Sequence, residues 1–327
     1  MPLLVLNAAT VRKLLPVAVC VDVMAQAMQA VSNHRVTMPE RLVTPLEKQS
    51  GYFFLMPGLA DDASVYGAKL VSLMPANPAS GKPTVQGFIS LFDKVSGAPV
   101  ALLDGFEITR LRTAAASALA TRELARSDAH SHGILGAGVL AAAHLEAIAC
   151  VRDIREVFVW ARDPDKAQLF AQQQARKFDF TVTAVKDPEQ AGRCDIVSTV
   201  SNSPVPVLLG DWLAPGCHVN LVGAHRADHR EIDSRGMARS ALFVDSRESA
   251  LREAGDLLIP VSEGLVGEDH IKAEIGEVLA GRARGRADGR QITVYKSLGL
   301  VAQDLYAAEE VFLAARASGK GQLVEFP

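Results

Sequence analysis

With 327 residues, the chain is long enough for two domains of ordinary size. Apolar residues make up 49% and charged residues 22%, a globular balance that excludes a disordered chain. The net charge of −3 gives no electrostatic reason to expect nucleic acid or an anionic membrane as a partner.

Residues 3–6 read as a short strand, and Asn7 stands where it can cap the helix that follows. Residues 16–31 are helical in pattern, with apolar positions at Val19, Val23, Met24 and Met28. Strand-like runs come next, at 41–45, 52–56, 66–73, 84–92 and 100–103, and residues 93–97 carry a hairpin signal. Consecutive strands without helices between them predict an antiparallel sheet. An alanine-rich helix is expected over 109–125. After it the texture becomes β-α-β: HGILGAG, a helix from Val139, EVFVWAR, a helix from Pro164, FTVTAV, CDIVSTV, HVNLVGA and ALFVDS. That rhythm predicts a parallel sheet with helices on both faces. The fold class is therefore α/β. A Rossmann-type, doubly wound parallel sheet occupies 119–300, and a second α+β domain occupies 1–118, completed by a helix within 301–327. The basic stretch 281–290, GRARGRADGR, reads as an exposed loop.

No apolar run approaches the ~20 residues that span a bilayer. The opening MPLLVLNAATVRKLL has neither the basic start nor the cleavage site of a secretory signal. Cys20, Cys150, Cys194 and Cys217 form no C-x-x-C pair and sit among apolar or small residues. They read as reduced core thiols of a cytoplasmic protein. No His, Cys or acidic spacing suggests a metal site.

The strongest local motif is Gly136-Ala137-Gly138-Val139-Leu140-Ala141, between a predicted strand at 132–135 and a predicted helix. In that context G-x-G-x-x-A is a dinucleotide fingerprint. Gly136 permits the tight turn, Gly138 lets backbone approach a pyrophosphate, and Ala141 keeps helix and strand close. The helix N-terminus then offers N–H groups and a partial positive charge to the phosphates. About twenty residues on, where an NAD site places an acid for the ribose, the sequence reads Trp160-Ala161-Arg162-Asp163. Arg162 can pair with a 2′-phosphate, so NADPH is the expected cofactor. In the alternative, Asp163 holds the ribose and NADH serves. Thr199, Val200 and Ser201 end one strand, and Val222 and Gly223 end the next. Strand carboxyl ends line the cofactor crevice, so these residues are expected near ribose and nicotinamide.

Three basic residues precede the Rossmann portion. Arg41 starts a strand, and Lys69 lies on a half-buried strand where a charge needs a partner. Arg112, beside Thr113, lies near the predicted start of the alanine-rich helix, a good carboxylate site. The constellation Pro39-Glu40-Arg41, Gly67-Ala68-Lys69, Arg112-Thr113-Ala114-Ala115, Gly136-Ala137-Gly138 and Lys296-Ser297-Leu298-Gly299 with Asp304 resembles the ornithine cyclodeaminase/mu-crystallin family over nearly the whole chain. The resemblance implies that an antiparallel N-terminal domain binds substrate and forms a homodimer. It further implies that Arg41 and Arg112 clamp a substrate carboxylate, that Lys69 faces the reacting carbon and nitrogen, and that Lys296 and Ser297 belong to the cofactor site.

One departure matters. Cyclodeaminase members resembling this chain carry an aspartate just after the glycine that ends the strand matching HVNLVGA, whereas His225 stands at that place here. The chain thus looks like the branch that reduces cyclic ketimines, Δ1-pyrroline-2-carboxylate and Δ1-piperideine-2-carboxylate, to L-proline and L-pipecolate. Lys69 is the first candidate to protonate the imine nitrogen and His225 the second. Three alternatives stay open: ornithine cyclodeaminase, an amino-acid dehydrogenase, and a non-catalytic protein that holds NADPH and a small ligand.

Overall fold

A computed structural model describes residues 2–325. Met1, Phe326 and Pro327, which end the expected segments 1–118 and 301–327, lie outside the described residues. The chain divides into two units, Met1–Arg112 with Leu300–Pro327, and Thr113–Gly299.

In the first unit the strands are β1 (Leu3–Leu6), β2 (Val36–Thr37), β3 (Leu42–Pro45), β4 (Tyr52–Ala60), β5 (Val65–Leu73), β6 (Val85–Asp93) and β7 (Pro99–Asp104). With the C-terminal strand Gln322–Val324 they form one sheet, in which that strand is followed by β1, β7, β6, β5, β4 and β2, while β3 also pairs with β4. Every pairing is antiparallel except β1 with β7. The expected strand 52–56 runs on through Pro57 to Ala60. Proline is tolerated there because β3 covers Tyr52 to Leu55 and β2 covers Leu59 and Ala60, so neither strand pairs with Pro57.

Helices α1 (Ala8–Leu14) and α2 (Val17–Ser32) follow β1, and Asn7 caps α1 by accepting the Thr10 N–H at 3.0 Å. Strand β5 alternates with period two, burying Val65, Gly67, Lys69 and Val71 on one face. The C-terminal helix Val301–Ser318 packs on that face. Its approach is close at Gly58, where an added Cβ would stand 2.9 Å from the side chains of Val301 and Leu305. Helix α3 (Gly105–Leu124) starts earlier than the expected 109. Asp104, the last residue of β7, accepts the Glu107 N–H at 2.8 Å, so strand passes into helix with no loop between them.

In the second unit the chain runs β8 (Ser131–Leu135), α4 (Val139–Val151), β9 (Glu156–Trp160), α5 (Pro164–Gln174), β10 (Thr181–Ala184), β11 (Ile196–Thr199), β12 (His218–Leu221), β13 (Ser240–Val244), β14 (Ile271–Glu274) and β15 (Ile292–Lys296). All pairings are parallel, in the order β10-β9-β8-β11-β12-β15-β13-β14. The order reverses between β8 and β11, the place where ligands bind in open α/β sheets. Strands β14 and β15 were not anticipated. All five residues of β15 are buried, and a strand covered on both faces shows no alternation to read.

Two arginines tie loops to this unit. Arg152 donates to the carbonyls of Thr121, Arg122 and Ala125 at 2.8–3.0 Å, closing the last turn of α3. Arg286, in the expected exposed loop 281–290, instead reaches inward to Leu124 O at 2.6 Å and Thr293 Oγ1 at 2.9 Å. Cys20, Cys194 and Cys217 are buried, but Cys150, at the end of α4, is exposed rather than in the core. Among the described residues no single helix is long and apolar enough to cross a membrane.

Candidate active site

The first unit concentrates charge around one buried carboxylate. Asp304 lies in the first turn of the C-terminal helix and is fully buried. Its Oδ1 accepts from Lys69 Nζ at 3.0 Å and from Arg112 Nε at 3.0 Å. Gln303 Oε1 accepts from Arg112 Nη1 at 2.8 Å. Lys69 and Arg112 are only 5% and 6% exposed, so both cations have left water and depend on these partners. Burial pulls the Lys69 pKa down to about 8, the charges of Arg112 and Arg41 push the same way, and Asp304 opposes them. The structure thus brings Arg41, Lys69 and Arg112 into one electrostatic neighbourhood. Arg112, however, does not sit at a helix N-terminus. It lies two turns inside α3, and Asp304 and Gln303 set its direction instead of the helix dipole. Thr113 is buried at the next helical position, about 100° further round the helix axis.

The second unit holds the fingerprint. Gly136 has φ +133°, and an added Cβ would stand 2.7 Å from Val200 O. At Gly138, the N-cap of α4, an added Cβ would meet nothing within 4 Å, and no side chain caps the helix. Gly138 and Val139 are exposed, while Ala137 and Leu140 are half-buried. An uncapped helix N-terminus behind a bare glycine fits a dinucleotide pyrophosphate. At the end of β9, Arg162 is exposed. Asp163 uses its carboxylate to cap α5, accepting from Asp165 N at 3.1 Å and Lys166 N at 3.4 Å.

The ends of β11 and β12 are knitted together by Glu231, which is fully buried. It accepts from Thr199 Oγ1 at 2.7 Å, from Ser201 N and Oγ at 2.8 and 2.6 Å, and from Gly223 N at 2.6 Å. The Thr199 and Ser201 hydroxyl protons are thereby committed to Glu231. Val200 and Val222 complete the two strand ends. Burial, then the Asp256 charge, raises the Glu231 pKa. Lys296 is buried, pairs with Asp256 at 2.8 Å and donates to Ala224 O, while Ser297 N bonds to Leu221 O at 3.0 Å. His225 is exposed, with Nδ1 3.2 Å from Gly223 O. Among the described residues no group of three His, Cys, Asp or Glu side chains is placed to hold a metal ion.

Sequence reasoning missed Gln303, Glu231 and Asp256. Gln303 and Asp304 do carry a signal, two adjacent polar residues in the apolar opening of a helix. Glu231 and Asp256 belong to no local pattern.

Comparison with known proteins adds to this geometry. Residues 2–319 match the ornithine cyclodeaminase/mu-crystallin family. A Δ1-pyrroline-2-carboxylate reductase of Bacillus cereus is 36% identical over 326 residues, covering 99% of this chain and all of that protein. A solved structure of the Δ1-pyrroline-2-carboxylate reductase of Thermococcus litoralis, in complex with NADH and L-proline, superposes with a TM-score of 0.94. It is 36% identical and covers 98% of this chain and 99% of its own. An archaeal alanine dehydrogenase dimer with bound NAD has a TM-score of 0.93 at 30% identity, with full coverage of both chains. The chain belongs to the ornithine cyclodeaminase/mu-crystallin family.

Proposed function

We propose that this chain uses a reduced nicotinamide cofactor, NADPH by preference, to convert cyclic ketimines into cyclic amino acids. Δ1-Pyrroline-2-carboxylate would give L-proline and Δ1-piperideine-2-carboxylate would give L-pipecolate. The carrying observation is the buried cluster in which Lys69 and Arg112 share Asp304. Two cations on one carboxylate leave a net positive charge that an anionic ring can neutralise. The similarity to the two pyrroline-2-carboxylate reductases supports the same reading.

The residues divide the work. With Nε and Nη1 of Arg112 held by protein, its Nη2 edge remains to grip a carboxylate, and Arg41 adds a second guanidinium. Fixing the carboxylate fixes the ring and makes the reaction effectively unimolecular. Lys69 gives a proton to the imine nitrogen, so C2 becomes electrophilic and the C=N bond becomes CH–NH when C2 accepts a hydride. A reduced nicotinamide, when bound, would supply that hydride. Lys69 then recovers its proton from solvent. His225 is the second candidate donor. The fingerprint residues Gly136 to Leu140 would seat the pyrophosphate. Val200, Val222, Gly223, Lys296 and Ser297 would shape the far end of the cofactor site.

The NADPH preference rests on the end of β9. Asp163 is occupied as a helix cap, and the exposed Arg162 is the group left to meet a 2′-phosphate. A homodimer rests on the face of the first sheet turned away from the helices. Register places Leu42, Leu55, Tyr66, Leu70, Phe88 and Phe92 there, with Leu42 57% and Phe88 44% exposed. A second copy of this chain is the occupant proposed. Free cysteines fit a cytoplasmic setting.

The test is an absorbance assay with NADPH or NADH and Δ1-pyrroline-2-carboxylate. Cofactor loss is expected, with the lower KM for NADPH. No loss with either cofactor would end the reductase reading, and a clear NADH preference would end the NADPH part. A parallel arm with pyruvate and ammonia checks the alanine dehydrogenase reading that the third comparison raises.

A further inference from the structure

We propose that Asp304 is a positioning residue for this chemistry: through one carboxylate oxygen it aims the Lys69 ammonium and the Arg112 guanidinium at the same substrate. This inference rests on the ketimine-reductase reading.

Geometry carries it. One oxygen, Oδ1, lies 3.0 Å from both Lys69 Nζ and Arg112 Nε, so the separation of the two cations is set by a single atom. Gln303, the preceding residue, holds Arg112 Nη1 at 2.8 Å, which fixes the plane of the guanidinium as well as its place. Both acceptors stand in the first turn of one helix, and the Gly58 contact seats that helix closely on the sheet bearing Lys69. A shift of the helix therefore moves the proton donor and the carboxylate grip together.

Charge accounting points the same way. The groups facing Lys69 are Arg41 ahead of β3, Arg112 on α3 and Asp304 on the C-terminal helix. Cys20 on α2, close to Arg112, is pushed up to about 12 by burial and adds no charge near neutrality. Without Asp304, Lys69 would face only cations and would lose its proton before the substrate arrived. With it, Lys69 remains charged at neutral pH. After the proton passes to the imine, Asp304 and Arg112 are left as a balanced pair.

The test measures kcat against pH for Δ1-pyrroline-2-carboxylate reduction by the wild type, Asp304→Asn and Asp304→Glu. Asp304→Asn keeps an acceptor but drops the charge. Its kcat is expected to fall at least about tenfold, and its alkaline limb to move to lower pH by about a unit or more. The KM for NADPH should stay within about twofold. Asp304→Glu keeps the charge and displaces the oxygen, so its alkaline limb should stay while kcat falls by up to about 100-fold. A role in folding alone would lower the melting temperature and leave the limb unmoved; that outcome overturns the proposal. If Asp304→Asn is not recovered folded, Asp304→Glu decides, and wild-type kcat in it overturns the proposal. A wild type that consumes no cofactor overturns the reductase reading instead.

Discussion

Lys69 is a charged side chain on the buried face of β5, between Gly67 and Val71. Alternation alone marks the position as one that needs a counter-charge, but its partner lies 235 residues away in sequence. As the proposed proton donor, Lys69 must be charged. Lys69→Ala is therefore expected to lower kcat about 10²–10⁴-fold, and near-wild-type turnover would remove it from the mechanism. With its pKa lowered from 10.5 to about 8, wild-type kcat should fall as pH rises through about 8. Stability moves the other way. Between about 8 and 10.5 the unfolded chain holds a proton that the folded chain has lost, so this group adds stability as pH rises through that window. A melting temperature that dropped in step with kcat there would contradict the assignment.

At the scale of the element, the turn into α4 joins two glycines with opposite demands. Gly136 is needed by the fold: φ is +133°, and the Val200 backbone closes on it. Gly136→Ala is expected to cost roughly 1–3 kcal/mol of stability, read from denaturant unfolding. Gly138 is not needed by the fold, since an added Cβ would meet nothing within 4 Å, and a pyrophosphate seated on this helix start, as proposed, would be what requires it bare. Gly138→Ala should fold and melt like the wild type, yet raise the KM for NADPH about tenfold, since the methyl would occupy the approach to the helix N-terminus. An unchanged KM would mean that the pyrophosphate sits elsewhere. This turn was legible in the sequence because strand, turn and helix are contiguous. The start of α3 was missed because β7 ends at Asp104 and α3 begins at Gly105, so no loop separates strand from helix.

At the scale of the whole molecule, two properties follow from surfaces and buried groups. If the outer sheet face is the dimer contact, Leu70→Glu should turn a dimer into a monomer by light scattering; a variant that stays dimeric would place the contact elsewhere. Inside the second unit, His132, His144 and His218 are fully buried and hydrogen-bonded to Ser198, Ser117 and Thr293. Burial lowers their pKa values from 6.5 to about 3, 4 and 3. The native state keeps them neutral. Below about 6.5 the unfolded chain takes up protons that the native chain refuses, and stability declines as pH falls toward those lowered values. The loss is up to about 1.4 kcal/mol per pH unit for each histidine. Melting curves at pH 7, 6 and 5 should show a falling midpoint, and a flat midpoint would refute the buried neutral state.

Contiguous order along the chain was enough for the β-α-β rhythm, the fingerprint at Gly136 to Ala141, the capping Asn7 and the basic residues Arg41, Lys69 and Arg112. Each of these is written in local periodicity, in short-range spacing or in a family's ordered motifs. Only the folded chain decided what those residues answer to. Asp304 and Gln303 meet Lys69 and Arg112, Glu231 joins the ends of β11 and β12, and Asp163 is taken by its own helix. Most of these pairings join residues tens to hundreds of positions apart, and no local pattern encodes a contact of that range. They are set by burial, which forces each charge to find a partner wherever packing brings one.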